Sequence, residues 1–125
     1  MIAGIGTDIV AVARLGRLYE RHGARVLEKL LAPSEFDGFS GTGSRARFLA
    51  KRFAAKEALG KALGIGITAP ANFSSIAVTH DDLGKPAFAY APPLARYLAE
   101  RGLTAHLSIS DEADYALAFV VLESA

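Results

Sequence analysis

The sequence contains no cysteine, no tryptophan and only one methionine among its 125 residues. Without cysteine the chain has no disulfide, no thiolate metal site, no iron–sulfur cluster and no thiol nucleophile. A large surplus of charge is also missing, because 14 Lys and Arg stand against 13 Asp and Glu. A net charge of +1 argues against nucleic-acid binding through bulk charge, so any basic patch is local.

Long apolar segments are absent as well. No apolar run approaches the roughly 20 residues that cross a bilayer, and the first residues lack the basic start and apolar stretch of a signal peptide. We therefore expect a cytoplasmic protein without membrane association. Apolar residues make up 51% of the chain and charged residues 22%. This balance is typical of a folded chain, and the length suits one domain over residues 1–125.

Hydrophobic periodicity predicts helices in the first half of the chain and strands mostly in the second. Predicted helices cover residues 12–31, 45–63 and 92–101, and another begins at 33–35. Predicted strands cover residues 2–10, 74–80, 87–90, 106–110 and 115–122. Gly23 weakens the first helix, and Ser44 is expected to cap the long one. We predict an α+β fold with helices packed on a mostly antiparallel sheet.

Two carboxylates and a lysine form the first candidate site. Asp8 ends an apolar strand, where a carboxylate is costly to bury unless it is paired or bound to a metal; a helix-capping role is the alternative. Glu57 and Lys61 share one face of the long helix, a spacing that is also common in solvated ion pairs. The helix is strongly basic. This set suits magnesium-assisted phosphate chemistry, because Mg²⁺ takes one or two carboxylates together with water and substrate oxygens.

Basic residues at steps of three and four form a basic ridge along the first predicted helix: Arg14, Arg17, Arg21, Arg25 and Lys29. A solvated helix face is one explanation, but such faces usually mix both signs. A ridge of one sign on a nearly neutral chain indicates an acidic macromolecular partner. His22 and His80 lack an acid or serine partner in any recognisable pattern. His22 recurs with Leu18 and Val26 on the apolar side of its helix, and His80 lies beside a turn. We interpret both histidines as structural and predict no zinc site.

Two later segments are ordinary when each is taken alone. Residues 82–86 are typical of a hairpin turn. His106, Ser108 and Ser110 alternate along a predicted strand and therefore share one side of it, which is usually a solvent face.

Four segments spread over the whole chain nevertheless resemble the short bacterial type of 4′-phosphopantetheinyl transferase, the holo-acyl-carrier-protein synthase family. They are Gly4-Ile5-Gly6-Thr7-Asp8, Arg52-Phe53-Ala54-Ala55-Lys56-Glu57-Ala58, Gly84-Lys85-Pro86 and His106-Leu107-Ser108. The resemblance implies a single domain with that fold. It also implies an enzyme that moves phosphopantetheine from coenzyme A to a serine of acyl carrier protein, releasing adenosine 3′,5′-bisphosphate.

The resemblance further implies a role for individual residues. Asp8 and Glu57 would be the Mg²⁺ ligands, and they would form the catalytic set with the phosphate-contacting Lys61. The coenzyme A site would comprise Lys61 together with Arg52, Gly84, Lys85, Pro86 and His106. The acidic carrier protein would dock on Arg14, Arg17, Arg21 and Arg25. Asp111 stands where many relatives have histidine, so no role is assigned to it.

The family resemblance also implies a homotrimer whose active sites lie between subunits. The apolar strands 87–90 and 115–122 are candidates for the shared surface. His106 and Lys85 would then meet Glu57 of a neighbour. The general base stays open between a metal-bound water, Glu57 and Glu35, and the carrier could belong to fatty acid or polyketide synthesis.

Two other functions use the same residues. A small nucleic-acid-binding module would employ the basic ridge and the helix at 45–61, but the paired carboxylates Asp8 and Glu57 would repel a phosphate backbone unless a cation intervened. Alternatively, the chain serves as a domain of a larger synthase.

Overall fold

The computed structural model describes every residue from Met1 to Ala125. Its strands are β1 (Ile2–Ala11), β2 (Ile76–His80), β3 (Pro86–Tyr90), β4 (Leu103–Asp111) and β5 (Tyr115–Ser124). Its helices are α1 (Val12–His22), α2 (Ala24–Leu30), α3 (Phe36–Gly41), α4 (Arg45–Leu63) and α5 (Pro92–Glu100). Short 3₁₀ turns at Pro33–Glu35 and Phe73–Ser75 precede α3 and β2. No helix has both the length and the apolar character needed to cross a membrane. The α+β class is confirmed.

The strands form two antiparallel sheets, one with the order β1-β5-β4 and one that pairs β2 with β3. Because β1 pairs with the last strand, the larger sheet joins the two ends of the chain and is not built from the second half alone. Alternate residues of the central strand β5 are fully buried beneath α4: Ala116, Ala118, Val120 and Leu122. They form the centre of the hydrophobic core.

Helix α4 lies directly on β1. A Cβ atom added to Gly4 would overlap the carbonyl oxygen of Ala62, and one added to Gly6 would overlap that of Ala58. The two glycines therefore allow the backbones of strand and helix to touch. Asp8 continues the same alternation along β1, so this close approach carries its carboxylate to the side of α4.

The first predicted helix is broken into α1 and α2. Gly23 adopts a φ of 58°, in the left-handed region, which ends α1 after His22 and lets α2 begin at Ala24. His22 is exposed, so its predicted structural role in the apolar face was wrong. Ser44 occupies the N-cap of α4 as predicted, but its side chain makes no capping hydrogen bond.

Two of the predicted strands have different bounds. Strand β2 begins at Ile76 rather than residue 74, since Phe73–Ser75 form a 3₁₀ turn. Strand β4 extends over Leu103–Asp111, beyond the predicted 106–110, because its pairing with β5 continues at both ends.

One buried carboxylate links three parts of the fold. Glu35 Oε1 accepts hydrogen bonds from the Ala32 backbone at 2.9 Å and Lys56 Nζ at 2.5 Å. Its Oε2 accepts from Arg52 Nε at 3.1 Å and the Val78 backbone at 2.9 Å. Glu35 thereby ties the turn before α3 to α4 and β2.

Lys56 completes this network from the middle of α4. Its ammonium group also donates to the carbonyl oxygens of Leu30 at 2.6 Å and Phe73 at 3.1 Å. Burial lowers the pKa of Lys56, while the charge and hydrogen bond of Glu35 act in the opposite direction. Because the cation has three acceptors, one of them the carboxylate of Glu35, it can remain charged in the core.

Candidate active site

Asp8 and Lys61 meet where α4 crosses β1. Lys61 Nζ donates to Asp8 Oδ1 at 3.1 Å and to the carbonyl oxygen of Thr7 at 3.0 Å. The second carboxylate oxygen, Asp8 Oδ2, is buried and has no hydrogen-bond partner. A buried, unpartnered carboxylate oxygen is costly, so this atom calls for a cation or a donor that the chain itself does not supply.

Glu57 lies one helical turn before Lys61 and close to Asp8. Burial raises the pKa of Glu57, and the negative charge of Asp8 raises it further. The charges of Lys61 and Arg14 act in the opposite direction. Each of these charges affects Glu57 because the four side chains share one region, so the structure brings together the predicted catalytic set and one end of the basic ridge.

The donor set at this point fits Mg²⁺. The cluster offers two carboxylates, Asp8 and Glu57, and the chain has no group of three Asp, Glu, His or Cys residues that could hold a metal. Mg²⁺ usually binds one or two carboxylates and keeps its other positions for water and substrate phosphates. When bound, the ion would neutralise negative charge on phosphate oxygens. The free Oδ2 atom of Asp8 is a suitable ligand.

Solvent reaches this cluster at the β1 edge of the larger sheet. The side chain of Lys61 is 54% exposed, whereas that of Asp8 is 16% exposed. The lysine lines a shallow cleft of about 330 Å³ with Ile5, Gly6, Thr7 and Phe119. A substrate can therefore contact the ammonium group while the carboxylate stays largely covered.

Arg52 forms a second cluster with Glu35 and Phe48. Along the α4 axis, Arg52 lies about 7.5 Å from Glu57. Its guanidinium lies 3.7 Å from the centroid of the Phe48 ring. Through Nε it is anchored to Glu35. Nη1 and Nη2 make no hydrogen bond in the structure, which leaves both groups free to bind an anion.

The hairpin between β2 and β3 approaches this second cluster. Its predicted turn is confirmed: Asp81 Oδ1 accepts from the backbone of Leu83 at 2.9 Å and of Lys85 at 2.8 Å. His80 pairs with Pro86 across the hairpin. Burial lowers the pKa of His80, as do the charges of Arg52 and Lys51. Gly84, Lys85 and Pro86 therefore lie on the hairpin end that flanks Arg52.

His106 does not join either cluster within one chain. It is exposed on the outer face of the larger sheet, where its Nε2 lies 3.0 Å from Glu123 Oε1. His106 lies on β4, and β5 stands between β4 and β1. Strands β4 and β1 are therefore about 10 Å apart. Asp8 lies on the opposite face. The contact with Glu123 was not predicted, since strand register is needed to see it.

The break at Gly23 divides the basic ridge between α1 and α2. The guanidinium of Arg14 lies 5.2 Å from the Phe53 ring centroid, and its charge reaches Glu57. Arg17 and Arg21 are exposed. Arg25 and Lys29 line an apolar groove of about 340 Å³, with its other walls formed by Leu18, His22, Val26, Leu30, Phe53 and Phe73.

This apolar groove was missed in the sequence. Its signal was the run Leu18, His22 and Val26, which we interpreted as a core face. Leu18 is only partly buried and His22 is exposed. The groove runs from Arg25 and Lys29 of α2 to Phe53, which neighbours Arg14.

Glu35 has no capacity to act as the general base. Both of its oxygens accept two hydrogen bonds, and its side chain is 2% exposed. That candidate was wrong, which leaves Glu57 and a metal-bound water.

The outer face of the larger sheet is unusually apolar for an exposed surface. Ile5 and Ile9 of β1 are 61% and 60% exposed, and Tyr115, Leu117 and Phe119 of β5 are 53%, 38% and 42% exposed. Contiguous apolar patches of this kind mark interaction surfaces. Residues 115–122 therefore supply exposed apolar side chains, while their part in a subunit interface stays a prediction, and β1 adds residues that we did not predict.

Strand β3 (Pro86–Tyr90) contributes little to such a surface, against the prediction for residues 87–90. Phe88 and Tyr90 pack on the core, and burial raises the pKa of Tyr90 to about 12. Only the small side chains of Ala87 and Ala89 are exposed.

Comparison with known proteins gives a consistent result. Residues 4–120 match the model of the 4′-phosphopantetheinyl transferase superfamily. A holo-[acyl-carrier-protein] synthase from Dechloromonas aromatica is 62% identical over 125 residues, covering all of both chains. The crystal structure of the Neisseria meningitidis synthase superposes with a TM-score of 0.96 at 48% identity, covering 99% of this chain and 100% of that one. The Bacillus anthracis synthase, solved in complex with CoA (3′,5′-ADP), gives 0.84 at 38% identity, covering 100% and 99%.

Proposed function

Because the chain belongs to the 4′-phosphopantetheinyl transferase superfamily, in its holo-[acyl-carrier-protein] synthase family, we propose that it transfers 4′-phosphopantetheine from coenzyme A to a serine of apo-acyl carrier protein. The products are holo-acyl carrier protein and adenosine 3′,5′-bisphosphate. The carrier of fatty acid synthesis and that of polyketide synthesis are both compatible substrates, and a cytoplasmic location stays a prediction.

One observation carries this proposal: Asp8, Glu57 and Lys61 converge where α4 crosses β1, with one buried carboxylate oxygen left unpartnered. Transfer breaks a phosphoanhydride bond of coenzyme A and forms a phosphodiester to the serine oxygen. Negative charge accumulates on the departing bisphosphate. A lysine and a carboxylate-bound Mg²⁺ are suited to neutralise that charge.

The other residues bind and position the substrates. Arg52 and the hairpin end at residues 84–86 would hold coenzyme A, with His106 approaching from a neighbouring subunit. Glu57 is the remaining side-chain candidate for the base that takes the serine proton.

Mass spectrometry of the carrier tests this function directly. The protein is incubated with coenzyme A, Mg²⁺ and apo-acyl carrier protein, and a carrier with its acceptor serine replaced by alanine serves as the control. We expect the mass of one phosphopantetheine group on the intact carrier and none on the control. An unchanged carrier, together with tight binding of duplex DNA or RNA, would instead favour the nucleic-acid module.

The basic ridge is expected to dock the acidic carrier. Replacing Arg21 and Arg25 by alanine should raise the KM for the carrier severalfold and leave the KM for coenzyme A unchanged, because exposed charge pairs contribute about 0.2–1 kcal/mol each. Added salt should reproduce this defect in the wild type, since it screens charge over about 8–10 Å. Steady-state kinetics with each substrate varied in turn measures both constants.

A matched control removes Arg96 of α5 and Arg101, the residue that follows this helix, with the same change in net charge. This control should keep the carrier KM of the wild type. An increase in the coenzyme A KM alone for the Arg21 and Arg25 variant would place the ridge in the nucleotide site.

The apolar outer face of the larger sheet is expected to join three copies of the chain. Replacing Leu117 by arginine should dissociate the trimer, because a charge cannot be buried there without a partner. Activity should fall with it, since His106 and Lys85 would no longer meet a neighbour's Glu57. Leu83→Arg, at a 96% exposed turn position, is the control and should stay trimeric. Light scattering that found a fully active wild-type monomer would contradict the assembly.

A further inference from the structure

Three cationic side chains surround a basic pocket in the first half of α4. The pocket encloses about 250 Å³ and is lined by Thr42, Ser44, Arg47, Phe48, Lys51 and Arg52. Arg52 is fixed between Glu35 and Phe48. Arg47 and Lys51 have no such anchor, since neither donates a side-chain hydrogen bond in the structure.

A single carboxylate, Asp111, faces these two cations. It lies at the end of β4 and reaches back to α4, with Oδ2 3.6 Å from Arg47 Nε and Oδ1 3.8 Å from Lys51 Nζ. Both distances exceed hydrogen-bond length. Arg47 Nε is moreover buried without any hydrogen-bond partner. Asp111 therefore supplies charge to the basic pocket without satisfying its donors.

We propose that Asp111 is an affinity-determining residue: an internal counter-ion that competes with the phosphate groups of coenzyme A for Arg47 and Lys51. The inference rests on the proposed function, which makes coenzyme A the anion. Phosphate oxygens form short, charge-assisted hydrogen bonds with arginine and lysine. A phosphate entering the pocket must share the two cations with Asp111 or displace it, and the like charge of the carboxylate weakens binding.

Removing this charge should strengthen binding. Asp111→Asn keeps the size of the side chain and is expected to bind coenzyme A roughly three- to tenfold more tightly, the effect of two weakly exposed ion pairs. The gain should shrink as salt is added. The kcat should stay within about twofold of the wild type, because Asp111 lies outside the Asp8, Glu57 and Lys61 cluster.

Calorimetric titration of coenzyme A into the full chain, without carrier protein, is the experiment. Asp114→Asn, in the turn that follows Asp111 but without an ion pair, serves as the control and should match the wild type. Binding by Asp111→Asn that equals or falls below that of the wild type would overturn the counter-ion role and favour an orienting one. A wild type that binds no coenzyme A would instead refute the proposed function itself, together with this inference.

Discussion

Replacing Asp8 by asparagine, or Glu57 by glutamine, is expected to reduce turnover by a factor of at least roughly 10²–10³. Charge stabilisation by a bound metal amounts to several kcal/mol, and each 1.36 kcal/mol corresponds to a tenfold change in rate. Both substitutions keep the size of the side chain, so the close packing of α4 on β1 should survive. Steady-state assays at saturating Mg²⁺ and coenzyme A measure the loss.

Glu20→Gln supplies the control for this prediction. Glu20 is an exposed carboxylate on α1, and it forms none of the ion pairs of the structure. The variant should therefore turn over like the wild type. Circular dichroism must show a folded protein in every case. Near-normal rates for both the Asp8 and the Glu57 variants would mean that these carboxylates do not form the metal site.

Replacing Glu35 by glutamine is expected to lower the free energy of unfolding by about 3–5 kcal/mol. The substitution leaves Lys56 as a fully buried cation without its counter-ion, and breaking one side of such a pair is strongly destabilising. That loss is a large part of the 5–15 kcal/mol that stabilises a typical domain. Urea-induced unfolding at one fixed protein concentration measures it, since assembly contributes to apparent stability.

A second variant tests whether the unpaired charge of Lys56 causes this loss of stability. Combining Glu35→Gln with Lys56→Met removes both charges, so the double variant should be less destabilised than Glu35→Gln alone. Glu28→Gln, at an exposed position of α2, should stay within about 0.5 kcal/mol of the wild type. Strict additivity of the two buried substitutions would show that Glu35 and Lys56 act independently.

Most helices and strands could be predicted because the hydrophobic periodicity and the end residues of each one lie within its own segment. The long helix α4 was predicted with its observed bounds, since a continuous run of strong helix formers ends at Gly64. Pairing between β1 and β5 joins opposite ends of the chain, and no local signal encodes it. The break at Gly23 depends on a positive φ, which glycine permits but does not require.

The candidate site likewise combines features that local sequence predicts with features that only tertiary contacts create. The spacing of Glu57 and Lys61 placed them on one helix face without any knowledge of the fold. Their meeting with Asp8 depends on Gly4 and Gly6, whose lack of side chains is informative only once α4 is seen on β1.

Glu35 shows the converse case. It was a reasonable candidate base by residue type, but three of its four hydrogen bonds come from Arg52, Lys56 and Val78, which only tertiary packing brings to it. Residue type therefore indicated the chemistry of the site, while burial decided which carboxylates are free to perform it.

The proposed function requires Asp8 and Glu57 together to hold a divalent cation at the coenzyme A site. Electron paramagnetic resonance with Mn²⁺ in place of Mg²⁺, recorded with coenzyme A and without carrier protein, tests this claim apart from turnover. The wild type should bind one Mn²⁺ per chain, and the Asp8→Asn, Glu57→Gln double variant should bind none at the same concentrations. A double variant that holds Mn²⁺ as tightly as the wild type would contradict the claim.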